Sequence, residues 1–223
     1  MAVPEHVLRF WRALDALFSD VRPTWWGAVV TDGRFPRIWD ANYARVDEPV
    51  GSLRAADVEA ELLPALAAAG VDVLHVVTFH PDVTTDLLAE LSSRGHRLTW
   101  DLVMDAEARP VRAPVADVTV EELTPDEALW DRVADSLALF GVEPADAVAQ
   151  LRRIEAEVLG PGGKRWFGVR DDSGDVVSLG ALLLLEGVGY VDNVVTFPQA
   201  RGRGAASAVT ARIVAEATDA GAS

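Results

Sequence analysis

The chain contains no cysteine, and Lys164 is the only lysine among its 20 basic residues. Without cysteine there can be no disulfide, no thiolate metal site and no cysteine nucleophile. The four histidines are scattered and do not show the spacing of metal ligands. We therefore predict no metal site.

Positive charge is also scarce. The formal net charge is −15, and both halves of the chain are acidic. A nucleic-acid-binding protein needs a basic surface that neutralises phosphates. Nucleic acid is therefore not expected as a partner.

Long apolar runs are missing as well. The most apolar segment, Leu179–Leu185, is too short to span a bilayer. Residues 1–10 lack the basic start and apolar core of a signal peptide. Half of all residues are hydrophobic, so a packed core is expected. These features predict a cytoplasmic protein without a membrane partner.

The apolar periodicity predicts a mixed α/β protein in two parts, residues 1–112 and residues 113–223. The boundary falls in Asp105–Pro114, which loses periodicity and is typical of a linker. The first part is predicted to form a helix over His6–Phe18, strands over Trp26–Thr31 and Arg37–Val46, a helix over Ala55–Ala69, a strand over Val71–Phe79, a helix over Thr84–Arg94 and a strand over His96–Met104. Pro64 should kink its helix or delay its start, and Val71–Phe79 should be buried on both faces.

The second part has a regular order of elements. It is predicted to form a strand over Val118–Glu122, a helix that ends before Gly141, a helix over Ala145–Leu159, strands over Arg165–Arg170, Val176–Leu185 and Val188–Thr196, and a helix over Ala205–Ala220. Thr124 and Glu127 have the spacing of a capping box, with Thr124 as the N-cap of the first helix.

The most informative segment is Tyr190–Ala206. A β-branched strand leads through Pro198 into Arg201-Gly-Arg-Gly-Ala-Ala206, which opens directly into a helix. Backbone N–H groups at a helix N-terminus attract anions, above all phosphates. A Walker loop is excluded because Gly-Lys-Ser/Thr is missing. A dinucleotide fingerprint is not met because Ser207 occupies the place of its third glycine.

This order of elements, over Val118–Gly221, resembles the GNAT superfamily of acyl-CoA-dependent N-acyltransferases. Arg201, Gly204 and Ala206 match the family signature Arg/Gln-x-x-Gly-x-Gly/Ala. The resemblance implies an α/β (α+β) fold with a mixed, mostly antiparallel central sheet flanked by helices. It also implies transfer of an acetyl or short acyl group from acetyl-CoA to a primary amine, on a small molecule or a protein N-terminus.

The resemblance also assigns site residues. The amides of Arg201, Gly202, Arg203, Gly204, Ala205 and Ala206 would hold the coenzyme A pyrophosphate, and Val194, Val195 and Thr196 would pair with the pantetheine arm. Asp192 is the candidate general base, and strand alternation places it on one face with Tyr190, Val194 and Thr196. Glu186 and a purely structural role for Asp192 remain open alternatives.

The pattern departs from the family where the sequence stops, at Ser223, because the family fold continues with a further strand and helix. A degenerate first copy in a tandem protein is one explanation. Another is a composite sheet in which Val71–Phe79 pairs with Val188–Thr196, and a homo-oligomer with swapped elements is a third. The alternative function is a catalytically inert module that binds acyl-CoA.

Overall fold

The computed structural model describes residues 3–101, 103–104 and 118–222. The chain divides into two compact units, residues 1–104 and residues 105–223. The predicted boundary between residues 112 and 113 and the predicted linker, Asp105–Pro114, lie outside the described residues. Within the described part, every helix is too short or too polar to cross a membrane.

The first unit is a four-stranded sheet with helices. Its elements are α1 (Glu5–Asp15), β1 (Asp20–Thr24), β2 (Gly27–Thr31), β3 (Tyr43–Val46), α2 (Ala55–Ala69), β4 (Val76–Thr78) and α3 (Thr85–Ser93). The strand order is β1-β2-β3-β4. The first three strands form an antiparallel meander, and α2 then carries the chain back so that β4 runs parallel to β3.

Helix α2 packs its apolar stripe onto this sheet. Val58, Leu62 and Leu66, each four residues apart, are buried in one cluster with Val29 and Leu87. The helix begins at Ala55 and continues through the exposed Pro64 to Ala69, so the predicted later start is wrong. Gly70 ends it in the left-handed conformation, with φ of 72°.

Several strand predictions for the first unit are wrong. Val71–Phe79 forms a strand only over Val76–Thr78, and these residues are half-buried because β4 is the last strand of its sheet. The sequence pattern does not predict strand β1, because Pro23 within it weakens the strand pattern. Proline is tolerated there since β1 is an edge strand.

Two further strands are shorter than predicted or absent. In Arg37–Val46 only Tyr43–Val46 is a strand, because residues 39–41 form a 3₁₀ turn that Asn42 holds with side-chain bonds to Phe35 O and Ile38 O. The described residues of His96–Met104 form no strand, and Trp100 is 74% exposed. The strand prediction for His96–Met104 is therefore wrong, because an apolar pattern alone does not make a strand where no neighbouring strand pairs with it.

The second unit contains an antiparallel sheet flanked by helices. Its elements are β5 (Glu121–Leu123), α4 (Glu127–Leu139), α5 (Ala145–Ile154), β6 (Arg165–Arg170), β7 (Val176–Leu185), β8 (Val188–Thr196) and α6 (Ala205–Asp219). The strand order is β5-β6-β7-β8, and all neighbours are antiparallel. The predicted bounds of β6, β7 and β8 are confirmed, as is the predicted fold class of mostly antiparallel sheet with flanking helices.

The helices of the second unit differ from prediction in two details. Asp126, not Thr124, is the N-cap of α4, because its carboxylate accepts the Leu129 N–H at 2.9 Å. The predicted helix Ala145–Leu159 changes character at Glu155, where a π-helical turn over residues 155–159 follows α5.

Each unit has a sheet of its own, and the composite sheet of both units stays a prediction. Residues 76–78, the strand within Val71–Phe79, pair with β3 of their own unit. Among the described residues, the sheet of the second unit ends at β8.

Candidate functional site

The segment between β8 and α6 is a tight loop with two glycine-dependent positions. Strand β8 ends at Thr196, a 3₁₀ turn follows over Pro198–Ala200, and α6 begins at Ala205. Gly202 and Gly204 have φ of 78° and 83°, in the left-handed region where side chains with a Cβ are strained. The loop therefore exposes backbone with little side-chain cover.

Consecutive backbone N–H groups in this loop lack a protein acceptor. In the described part of the chain, the N–H groups of residues 202–207 donate to no protein atom, and the first helical bond runs from Ala208 N to Gly204 O at 3.0 Å. The predicted run began at Arg201, but that amide already donates to Pro198 O at 3.3 Å. The unpaired run thus starts one residue later and extends to Ser207.

A cleft lies over these amides. Its volume is about 350 Å³, and its lining includes Thr196, Arg201, Gly202 and Gly204 together with residues 205–207. Of the predicted site residues, the structure thus brings the end of β8 together with the start of α6. Val194, Val195 and Arg203 do not line the cleft.

Side chains tie the loop to the strand. Arg201 Nε donates to Thr196 O at 3.0 Å, which closes the loop against the end of β8. On β7, Ser178 Oγ donates to Val195 O at 2.9 Å and lies 2.9 Å from Thr196 Oγ1. Thr196, which lines the cleft, is therefore held by hydrogen bonds with both Arg201 and Ser178.

Strand β8 carries a bulge at Asn193. Leu179 pairs with Val195, whereas Ala181 pairs with Asp192, so two residues of β8 oppose Gly180 alone. Asn193 has φ of 51°, which is uncommon for a residue with a side chain. The bulge reverses the alternation of side chains beyond it.

The reversal corrects the predicted face of Asp192. Val194 lies against Gly180 beside the α6 residues Val209 and Ile213, while Val195 packs in the cluster of Trp130 from α4. Asp192 bonds to Lys164, on the side of Glu155. The prediction that Asp192 shares a face with Val194 is wrong, because the extra residue shifts the pleat.

Asp192 belongs to a cluster of buried charges. Lys164 Nζ lies 2.6 Å from Asp192 Oδ2 and 2.8 Å from Glu155 Oε1, and its side chain is fully buried. Asp192 Oδ1 accepts the Asn193 N–H at 2.8 Å, and Asn193 Nδ2 donates to Glu155 Oε1 at 3.1 Å. Both oxygens of the predicted base are therefore already engaged.

Burial and charge act in opposite directions in this cluster. Burial raises the pKa of Glu155 above its ordinary value, although Lys164 opposes the rise. Burial disfavours the charged form of Lys164, but Glu155 and Asp192 together raise the pKa of the ammonium above its ordinary value. Lys164 thus remains a cation shared between two carboxyl groups.

The other candidate base, Glu186, lies in the turn before β8, at the end opposite Thr196. Eight residue steps along a strand span roughly 27 Å. Glu186 is therefore remote from the cleft.

Sequence reasoning missed Glu155 and Lys164. Lys164 offered one signal, because it is the only lysine in an arginine-rich chain. Glu155 offered none, since a π-helical turn has no periodicity that a short segment reveals.

No family model matches the chain, and no curated protein matches it. Solved structures that are similar to about half of this chain are described as acetyltransferases. A GNAT-family acetyltransferase from Staphylococcus aureus is 10% identical over 46% of this chain and 68% of its own, with a TM-score of 0.38. A predicted acetyltransferase from Clostridium acetobutylicum, solved with acetyl-CoA, is 19% identical over 48% and 77%, with a TM-score of 0.41.

Glucosamine-6-phosphate N-acetyltransferase from Arabidopsis thaliana is a third similar structure, 16% identical over 47% of this chain and 76% of its own, with a TM-score of 0.37. At these identities and TM-scores the similarity does not establish the family of this chain, and the GNAT resemblance stays a prediction.

Proposed function

We propose that this chain is an acyl-CoA-dependent N-acyltransferase whose second unit binds coenzyme A at the start of α6. The observation that carries the proposal is the run of unpaired N–H groups over residues 202–207 beneath a cleft of about 350 Å³. Within this run Ala205 is buried and Gly204 and Ala206 are half-buried, and N–H groups at such positions are nearly always paired. An anionic ligand would satisfy them here.

The chemistry of a diphosphate suits this place. The helix dipole adds about half a positive charge at the start of α6, and the glycines at 202 and 204 let phosphate oxygens approach the backbone closely. The volume lies within the range of small-molecule sites, roughly 300–1,000 Å³. The diphosphate would then be held by backbone atoms, assisted by the guanidinium of Arg201 at the cleft wall.

Strand β8 supplies a place for the arm that carries the acyl group. It is the last strand of the described sheet, so its outer edge offers N–H and C=O groups to an amide-bearing arm. Val194, Val195 and Thr196 lead directly to the cleft. We propose that this stretch pairs with the pantetheine arm of acetyl-CoA or a short acyl-CoA.

The proposed reaction needs no covalent enzyme intermediate. The nitrogen of a primary amine attacks the thioester carbonyl carbon, the carbon–sulfur bond breaks, and the sulfur leaves as the thiol of coenzyme A. The acceptor enters as its ammonium ion, gives one proton to a base on the protein before the attack, and gives a second proton to the departing sulfur, so that the amide nitrogen keeps one. The acceptor is proposed to be a small-molecule amine or a protein N-terminus.

Substitution of Gly204 by valine tests the cofactor site. The left-handed φ of 83° and the position of Gly204 in the cleft mean that a branched side chain would distort and cover the free amides. We expect the affinity for coenzyme A to fall by about 100-fold, since two hydrogen bonds to a charged group are worth this much or more. Isothermal titration calorimetry measures the change.

Gly187→Val is the matched control. Gly187 also has a left-handed φ, 74°, and lies in the β7–β8 turn with open space around it. This variant carries comparable backbone strain but should keep the affinity of the unsubstituted protein. If Gly204→Val and the unsubstituted chain are both folded by circular dichroism and bind coenzyme A with equal affinity, this loop is not the cofactor site.

A second candidate function is an inert module that binds acyl-CoA. It is favoured by the engagement of both Asp192 oxygens, which leaves the predicted base poorly placed to accept a proton. Thiol release from acetyl-CoA over a panel of primary amines separates the two functions. Binding of coenzyme A without release of thiol by any amine would favour the inert module.

A further inference from the structure

Glu155 has an unpaired carboxyl oxygen in the interior of the second unit. The residue is 7% exposed and begins the π-helical turn over residues 155–159. Its Oε1 accepts bonds from Lys164 and Asn193, whereas the buried Oε2 has no hydrogen-bond donor among the described residues. A carboxyl oxygen that is buried and unpaired costs free energy, and a ligand that donates a hydrogen bond to it would remove this cost.

The surroundings of this oxygen are unusual in two independent ways. The backbone changes from α to π at Glu155, with Gly160 N donating to Glu155 O at 2.8 Å, and single π turns occur often at functional sites. The bond from Asn193 fixes the same carboxyl beside the β8 bulge, directly before the stretch proposed to hold the pantetheine arm. Two local irregularities therefore converge on one side chain.

The charge balance of the cluster leaves room for a cation. Glu155 and Asp192 share the single ammonium of Lys164, and the two carboxyl groups therefore exceed it by one negative charge when both are ionised. A protonated primary amine would restore neutrality and supply the missing donor. A neutral alcohol would supply a donor but no charge.

We propose that Oε2 of Glu155 binds the primary amine of the acyl acceptor and takes its proton, with Lys164 and Asn193 as positioning residues that hold Oε1. This inference rests on the proposed acyltransferase function. A protonated amine gives one proton to Glu155 and becomes the nucleophile. The amine nitrogen then bonds to the acyl carbon, the carbon–sulfur bond breaks, and the second amine proton passes to the sulfur.

The electrostatics suit a proton acceptor. Burial raises the pKa of Glu155, and among the described groups that face it Lys164 opposes this rise while Asp192 supports it. A carboxylate whose pKa lies nearer to neutrality is a better general base. Asp192, which is bonded to Lys164 and to the Asn193 N–H, then tunes Glu155 instead of acting on the substrate.

Three variants of the full chain test the inference by thiol release from acetyl-CoA. The acceptors are n-butylamine, glucosamine, spermidine and a peptide with a free N-terminus, with n-butanol as the neutral comparison. Glu155→Gln should lower turnover by about 100- to 10,000-fold, remove the acidic limb of the pH profile, and leave coenzyme A affinity unchanged. Glu157→Gln, an exposed control on the same π turn, should behave like the unsubstituted protein.

Asp192→Asn separates the two candidate bases. If Glu155 is the base, loss of the Asp192 charge lowers the pKa of Glu155, so the acidic limb moves to lower pH while turnover persists. The inference is overturned if Glu155→Gln keeps the turnover and pH profile of the unsubstituted protein while Asp192→Asn abolishes activity. Thermal melting of each variant confirms that it is folded.

A second measurement decides the case in which no amine reacts. The ¹³C signal of the Glu155 carboxyl, identified by its absence in Glu155→Gln, is followed with n-butylamine in the presence of coenzyme A. A bound ammonium should lower the pKa of this carboxyl. If n-butylamine lowers the pKa of the Glu155 carboxyl but no thiol is released, the amine site is supported and the acyltransferase function is contradicted. If coenzyme A binds but there is neither a pKa shift nor thiol release, the inference is overturned.

Discussion

Asp15 is a buried carboxyl in the first unit whose protonation should control stability. It is 1% exposed, accepts the Tyr43 hydroxyl at 2.7 Å and pairs with the buried Arg45. Burial raises its pKa from 3.8 to about 6, against the opposing effects of Tyr43 and Arg45. Because the folded state holds this proton more tightly than the unfolded state, the contribution of Asp15 to stability is complete at low pH and is lost as the pH rises through about 6.

We therefore expect the unfolding free energy of the first unit to fall by about 3 kcal/mol from this group between pH 3.8 and 6. Asp15→Asn removes the titration. Urea unfolding, followed through the NMR signals of β2 and β3, measures both proteins across this window. The difference in unfolding free energy between them should change with pH in the stated direction; a constant difference would contradict the shifted pKa.

At the scale of elements, the close approach of α6 to β7 positions the cofactor loop. A Cβ on Gly180 would lie 2.9 Å from Val209 Cγ1, 3.0 Å from Ile213 Cδ1 and 3.1 Å from Val194 Cγ2. Gly180→Ala should therefore push α6 away from the sheet. Overpacking of this kind costs about 1–3 kcal/mol.

The same displacement should weaken coenzyme A binding, because the start of α6 would move relative to Thr196. Thermal melting and calorimetric titration measure the two effects. Gly51→Ala is the control, since its Cβ would make only ordinary contacts at 3.6 Å and 3.8 Å. A Gly180→Ala protein with unchanged melting temperature and affinity would show that the packing is not tight enough to place the loop.

The sequence predicted those elements whose stability is mostly local. The strands β6, β7 and β8 were predicted with the observed bounds because each has a clear apolar pattern and a turn sequence between strands, as at Glu186-Gly187. Val71–Phe79 and His96–Met104 were overestimated, since an apolar run becomes a strand only where a neighbouring strand pairs with it. Pairing of that kind is a tertiary property.

The candidate site was predicted in part for a related reason. Glycines at 202 and 204 favour a left-handed backbone, so the sequence alone predicts the loop and its exposed amides. The bulge at Asn193 and the turn at Glu155 could not, because both depend on how β8 meets its neighbours. The face of Asp192 was predicted wrongly as a direct result.

At the scale of the whole chain, each unit has a helix that follows a three-strand antiparallel meander, and the two helices differ in what their N-terminal N–H groups bind. Helix α2 follows β1 to β3, and helix α6 follows β6 to β8. This shared order agrees with a tandem origin, which stays a prediction. At α2, the Ala55 N–H donates to Glu90 Oε2 at 2.8 Å, and the Arg54 N–H donates to Asp57 Oδ2 at 2.9 Å.

Carboxylates of the first unit thus occupy the place where a phosphate would bind, and their charge would repel an anion. At α6 the corresponding N–H groups, residues 202–207, have no protein acceptor within the described residues. We expect one coenzyme A to bind per chain, and Gly204→Val to abolish that binding without revealing a second site. Calorimetric stoichiometry measures the ratio, which oligomer formation by itself would not change. Two molecules of coenzyme A per chain, or binding that persists in Gly204→Val, would contradict this expectation. Either result would mean that the first unit also binds the cofactor and that phosphate displaces the carboxylates at the start of α2.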